Sequence, residues 1–292
     1  MTAPVPTVGL IGLGLMGQSF VKRLVRLGNS VIGFDILPEK VAAARSAGAA
    51  PAASAAEVAE GSDIVLVSVT TTAAVADVVE GPRGILSCSA PRVRVTVDHS
   101  TTEIATTHAV AEALSGRGIG FVDAPVSGGP GAAEEGTLAI MAGGAPEAIE
   151  AIRPLMDQFG RFTHMGPVGA GQATKLVNQT LVLTNYCVIA EAVRLAEAYG
   201  VDAAKVPHAL ATGHAGSNLL PVVFERMIAR DFAPRGYARQ VLKDLEMLQR
   251  AAAEQHLPMP MASQALTLFR MLVAGGKSEL DAAAVLTLLS EP

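Results

Sequence analysis

The chain has 292 residues, 22 Lys and Arg against 27 Asp and Glu for a net charge of −5, with 50% hydrophobic and 17% charged residues, 29 Gly, 17 Pro and two Cys. This length holds one large or two ordinary domains with full cores, so no disulfide or metal staple is required. The low charge and high apolar fraction exclude a disordered chain, and the acidic balance lacks the basic footprint of a nucleic-acid binder. A small neutral or anionic ligand is the expected partner, and an anionic one requires a site that gathers cations and amide donors locally. Cys88 and Cys187 fit no metal-ligand or disulfide pattern and read as buried small hydrophobes. The apolar run at 8–16 is broken by Gly9, Gly12 and Gly14, and the first cation is Lys22, so it does not read as a secretion signal. No stretch reaches the ~20 uninterrupted apolar residues of a membrane span. The expectation is a soluble, cytoplasmic protein with no nucleic-acid or membrane partner.

The first half alternates short β-branched runs with Ala-rich stretches. Residues 7–11, 30–34, 64–69 and 93–98 are rich in Val and Ile with almost no interior charge, which predicts buried strands. Residues 17–27, 38–47 and 55–60 between them predict helices, and 118–123 and 138–142 predict two further strands. This order fits βαβ units in a doubly wound parallel sheet over residues 1–163. From Gln172 to Tyr199 there is neither Gly nor Pro, which predicts a helix on the order of 40 Å long. Amphipathic helices are expected at 219–229, 238–255, 261–274 and 280–289. The second domain, 164–292, is therefore expected to be all-helical, its long interdomain helix serving as a spine or a dimer surface.

The first strand runs into Gly12-Leu13-Gly14-Leu15-Met16-Gly17 and then a helix, the strand–turn–helix setting of a dinucleotide fingerprint. The first glycine permits the turn, the second admits a pyrophosphate, and the third lets helix and strand pack. The phosphates would rest on the helix N-terminus near Leu15 and Met16. The sheet is thus expected to be of the Rossmann type. Asp35, 18 positions after Gly17 at the end of the second strand, suits the carboxylate that accepts ribose hydroxyls. Such a group repels the 2′-phosphate of NADP, and Ile36 and Leu37 offer no compensating Arg, so NAD is the preferred cofactor. The alternative is a loop Asp that caps the helix after Pro38.

Two more constellations stand out. In Asp123-Ala124-Pro125-Val126-Ser127-Gly128-Gly129, a hydroxyl followed by two glycines presents unobstructed donors suited to a carboxylate. Pro125 occupies the position where a hydrolase elbow needs Gly. The run from Gly166 through Gly169 and Gly171 leads into the long helix, where Lys175 and Asn178 share a face at a spacing of three. A lysine in apolar surroundings is a usable acid/base, and Leu176, Val177 and Leu181 surround this one. His164 and His214 show no HExxH-like spacing, so no catalytic metal is expected.

Together these segments resemble the β-hydroxyacid dehydrogenase family, relatives of 3-hydroxyisobutyrate dehydrogenase and tartronate semialdehyde reductase, over essentially the whole chain. Gly136-Thr137-Leu138 and Lys243-Asp244-Leu245 add to the likeness. The resemblance implies that Lys175 is the general acid/base, that Asn178 holds substrate and orients the lysine, and that Ser127, Gly128 and Gly129 bind the substrate carboxylate. It further implies that Val69, Thr70, Thr101 and Lys243 line the cofactor and that the substrate is a small carboxylate; the long apolar helix points to a homodimer or homotetramer. The chain departs from the family at Ser19-Phe20, where relatives often have Pro-Met, at Val69-Thr70, often Leu-Pro, and at His99, commonly Ser. Imine reductases share the architecture but typically lack the lysine. A non-catalytic dinucleotide module would leave the Lys175/Asn178 pair unexplained.

Overall fold

The computed structural model describes residues 6–289; the expected outer domain limits at 1 and 292 lie outside them. Packing divides the chain into two units, Met1–Lys175 and Leu176–Pro292. In the first unit, strands β1 (Val8–Ile11), β2 (Val31–Phe34), β3 (Ala50–Pro51), β4 (Ile64–Val67), β5 (Val95–Asp98) and β6 (Gly120–Asp123) pair in parallel in the order 3-2-1-4-5-6. The strand order reverses beside β1, so a crevice opens beyond the C-terminal ends of β1 and β4. Beyond β6 come β7 (Val126–Ser127) and β8 (Leu138–Gly144), paired antiparallel, and β9 (Gly160–Gly166), which runs parallel to β8.

β1, β4 and β5 are buried along their whole lengths because helices cover both sheet faces, which explains their unbroken apolar sequences. Val8, Leu10, Ile64 and Leu66 point into one core cluster and Ile11, Val65 and Val67 into the other. The helices are α1 (Leu15–Arg26), α2 (Pro38–Ser46), α3 (Ala55–Gly61), α4 (Thr72–Glu80), α5 (Ile104–Ser115), α6 (Gly129–Glu135) and α7 (Pro146–Met156). Ser54 caps α3 by accepting the Glu57 N–H, and Thr71 caps α4 by accepting that of Ala74.

The doubly wound sheet and the helical second half follow the expectation. The expected limit between 163 and 164 falls inside β9, which pattern reading misses. Only Phe162 of its side chains is buried while Arg161, Thr163 and His164 face out, so the strand has no apolar alternation to betray it. Helices α4, α5 and α7 are further additions.

α8 (Ala170–Ala198) is 29 residues long and begins in the first unit. By length and composition it is the one helix among the described residues able to cross a membrane, with 33% of its most apolar window buried. In the second unit, Leu183, Cys187, Ala190 and Val193 from α8 join a core with α9 (Val206–Leu210), α10 (Leu219–Ala229), α11 (Ala238–Glu254) and α12 (Pro260–Ala274). The segment expected as a helix at 280–289 is instead a 3₁₀ helix, Ala282–Leu288. Its cap, Asp281, is buried, pairs with Arg226 Nη1 at 2.9 Å and accepts the N–H groups of Arg235, Gly236 and Ala283, which pins the segment into a tight turn.

Candidate active site

The glycine loop spans the end of β1 and the start of α1. Gly12 has φ 90°, and a Cβ there would collide with the Ser68 carbonyl; a Cβ on Gly17 would collide with the Gly12 carbonyl. These two contacts let β1, β4 and α1 close on one another. A Cβ on Gly14 would meet nothing within 4 Å. Gly14 is the N-cap of α1 and offers no side-chain cap, so the first-turn amides at Leu15, Met16 and Gly17 are donors that the helix itself does not satisfy. A diphosphate fits this cradle: it has room over Gly14 and donors at the helix N-terminus. Leu13, expected among the cofactor residues, is buried and donates its N–H to Asp35 Oδ2 at 2.7 Å, so its amide serves the loop.

Asp35 Oδ1 accepts the Leu37 N–H at 2.9 Å. The N-cap of α2 is Leu37, with no side-chain cap, so Asp35 is not the helix cap. Each of its oxygens takes one backbone N–H and retains a second lone pair for a hydroxyl donor. Val69 and the exposed Thr70 follow β4 at the same sheet edge, and the Val69 N–H goes to Ser100 Oγ at 3.0 Å.

The segment after β5 carries Thr101. Asp98 Oδ1 accepts the Ser100 N–H at 2.9 Å and Oδ2 the Thr102 hydroxyl at 2.7 Å. Gln172, in the first turn of α8, is 1% exposed. Its Nε2 donates to the Ser100 carbonyl at 2.9 Å and its Oε1 accepts the Thr102 N–H at 3.1 Å. Asp123, paired in register with Asp98 on the next strand, accepts the N–H groups of Gly169 and Gln172, each at 2.8 Å.

Ser127 lies in β7, with Gly128 following and Gly129 opening α6, both glycines at positive φ. The Gly-rich run is therefore a strand–helix junction, not a loop. Lys175, on the second turn of α8 and buried, donates Nζ to the Val126 carbonyl at 2.7 Å, the residue next to Ser127. In the second unit, Asn178 Nδ2 donates to Gln179 Oε1 at 2.8 Å, Gln179 Nε2 donates to Asp244 Oδ2 at 2.5 Å, and Lys243 Nζ lies 2.9 Å from Asp244 Oδ1. The structure thus gathers the glycine loop, Asp35, Val69 and Thr101 along one sheet edge and ties Lys175 to the Ser127 strand, while Asn178 and Lys243 join through Gln179 and Asp244.

Burial dominates the electrostatics. It pushes the Asp98 carboxyl up to about 6 against the opposing hydrogen bonds from Ser100 and Thr102, and lifts Asp123 to about 6 against those from Gly169 and Gln172. It drives the His99 imidazole down to about 4, against the pull of the Ala124 carbonyl, which lies 2.7 Å from Nδ1. His99 packs against Phe20 at 5.1 Å between ring centroids, and its buried Nε2 has no partner. Among the described residues, no cluster of three or more His, Cys, Asp or Glu is arranged to hold a metal ion.

Residues 7–169 match the family model of the NAD-binding domain of 6-phosphogluconate dehydrogenase, and residues 169–289 match that described as the NAD-binding domain of NADP-dependent 3-hydroxyisobutyrate dehydrogenase. The chain belongs to the 3-hydroxyisobutyrate dehydrogenase family. A probable 3-hydroxyisobutyrate dehydrogenase-like protein of Arabidopsis thaliana, described as mitochondrial, is 35% identical over 97% of this chain and 86% of its own length. The 2-hydroxy-3-oxopropionate reductase of Escherichia coli is 35% identical over 97% of this chain and 96% of its own. The crystal structure of 3-hydroxyisobutyrate dehydrogenase from Salmonella typhimurium superposes with a TM-score of 0.85 at 29% identity, covering 97% of this chain and 99% of that one. The family places this chain among NAD(P)-dependent oxidoreductases of hydroxy acids.

Sequence reading did not single out Asp98, Gln172 and Gln179. Asp98 carried a usable signal, a carboxylate ending the apolar strand Val-Thr-Val-Asp; the two glutamines carried none.

The depressed His99 imidazole makes a pH prediction. Between pH ~6.5 and ~4 the unfolded chain takes up a proton that folded His99 refuses, so this group removes stability as pH falls. Asp98 and Asp123 act oppositely, because the folded state protonates them first as pH falls through about 6. His99→Gln keeps a donor for Ala124 and deletes the titration, so its unfolding free energy relative to wild type should shift in its favour by about 2 kcal/mol between pH 7 and pH 5. Urea unfolding at the two pH values reads this, and an unchanged gap would contradict a buried neutral imidazole.

Proposed function

We propose that the protein is an NAD-dependent dehydrogenase interconverting a small β-hydroxy acid and its semialdehyde or keto form, with a 3-hydroxyisobutyrate- or tartronate-semialdehyde-like substrate. The observation that carries this reading is Lys175: it is the one buried lysine among the described residues, and its Nζ is held 2.7 Å from the Val126 carbonyl beside Ser127. In this reading Ser127, Gly128 and Gly129 bind the substrate carboxylate; the ammonium of Lys175 hands a proton to the carbonyl oxygen during reduction, and its neutral amine accepts the hydroxyl proton during oxidation. Asn178, one turn further along α8, holds the substrate. The bound nicotinamide supplies or accepts the hydride. Lys175→Ala should lower kcat by roughly 10²–10⁴-fold while NAD affinity measured by calorimetry stays close to wild type; unaltered turnover would remove Lys175 from the mechanism.

Support for NAD over NADP comes from Asp35, whose oxygens border the glycine loop, and from the lack of a cation at Ile36 and Leu37. A carboxylate there gains from ribose hydroxyls and repels a 2′-phosphate. The expected outcome is a higher kcat/KM with NAD than with NADP across a panel of β-hydroxy acids, and the reverse order would overturn the assignment.

We further propose a homodimer or homotetramer. Val177, Leu181, Val188 and Leu195 are exposed and, at helical spacing, fall on one stripe of α8, with the exposed Tyr199 just past its end. A largely apolar stripe of that length, with Glu191 as the charge beside Val188 and Leu195, is unfavourable in water. Light scattering should read a multiple of the 29.9 kDa chain mass, and a single-chain mass at micromolar concentration would refute it.

A further inference from the structure

We propose that Gln172 is a positioning residue, an amide strut that fixes the backbone of Thr101 and sets its distance from Lys175. The inference rests on the catalytic reading above.

The Ser100 carbonyl and the Thr102 N–H belong to the two peptide groups that flank Thr101. The Gln172 amide engages both, so one rigid planar group closes a ring across both backbone torsions of residue 101. Asp98 holds Ser100 and Thr102 as well, but from within the same strand: it shapes the turn without fixing where the turn lies against α8. Gln172 spans that gap. Its own backbone N–H is held separately by Asp123, so the root of the strut is anchored too. Three residues later on the same helix stands Lys175, and the rigid helix carries the placement of one to the other. The Ser100 hydroxyl, accepting from Val69, extends the tie to the loop after β4. Thr101 itself is half-buried between these fixed points.

A group that merely satisfied two buried peptide groups would act on stability alone. The strut differs because its donor and acceptor must both be present, and glutamate reproduces that pair only when protonated. In Gln172→Glu the ionised carboxylate still accepts from Thr102 but turns a second acceptor on the Ser100 carbonyl. The neutral acid has one O–H donor and one carbonyl acceptor, like the amide. Burial raises the pKa of such a carboxyl toward the assay range.

The experiment measures kcat with NAD and the best β-hydroxy acid from pH 5.5 to 8.5 for wild type, Gln172→Met and Gln172→Glu, with calorimetric NADH affinity in parallel. Gln172→Met should lose on the order of 10- to 100-fold in kcat, with substrate KM moving less, the usual cost of a slight misplacement. Gln172→Glu should match that loss at pH 8 and recover several-fold relative to wild type as pH falls, reversibly, while the Met-to-wild-type ratio stays flat. Wild-type kcat in Gln172→Met, or a flat Glu-to-wild-type ratio, overturns the strut. If Gln172→Met fails to fold by circular dichroism, the reversible response of Gln172→Glu decides alone. If wild type turns over no substrate, the catalytic reading fails, and the strut stands or falls on whether NADH affinity of Gln172→Glu recovers at low pH.

Discussion

The Asp123 carboxylate sits where the sheet hands over to the long helix. It ends β6, is fully buried, and accepts the Gly169 and Gln172 N–H groups that α8 cannot satisfy within itself. That bond sets the start of α8 against the sheet edge, and every side chain in its first turns inherits the setting. A Cβ on Gly171 would strike the Asp123 and Met141 carbonyls, so the approach is close enough to require glycine. Lys175 reaches Val126, and Gln172 reaches the β5 loop, because their helix is held there.

Holding it has an electrostatic cost. Asp98 and Asp123 stand side by side in register, and burial raises both carboxyls. Neither has a cation among its hydrogen-bond partners; backbone amides and hydroxyls take that role. Fixed dipoles stabilise charge without bringing a mobile side chain into the crevice. The arrangement leaves Lys175 as the buried cation of the unit, although the chain as a whole is acidic.

Much of this was legible in the amino-acid sequence. β1, β4 and β5 announce themselves because both of their faces are covered, so their residues are apolar without interruption. The glycine fingerprint reads directly because Gly12 and Gly17 answer steric demands that other residues cannot meet, and Asp35 because its distance from the loop is fixed by one βαβ unit. β9 was not legible, being half solvated and carrying Arg, Thr and His. The tail at 280–289 shows apolar periodicity but winds as a 3₁₀ helix, since the buried Asp281–Arg226 pair, distant in sequence, dictates its entry. The Gln172 strut and the Gln179–Asp244 bond were illegible for a related reason: a neutral amide has no periodicity and no charge, and its meaning comes from whichever peptide group the fold brings opposite it.

The departures at positions 20 and 99 acquire a common meaning from the ring contact. Phe20 packs between His99 and Phe159, the latter edge-on at 4.9 Å between centroids, so two features that read in sequence as separate oddities are one packing unit. A smaller residue at 20 would bare one face of the imidazole, and a serine at 99 would leave Phe20 beside a void. The two positions are therefore exchangeable only as a set. Because Phe20 belongs to the helix under the glycine loop and His99 to the turn that leads to Thr101, the shape of the glycine loop and that of the turn after β5 are inherited together.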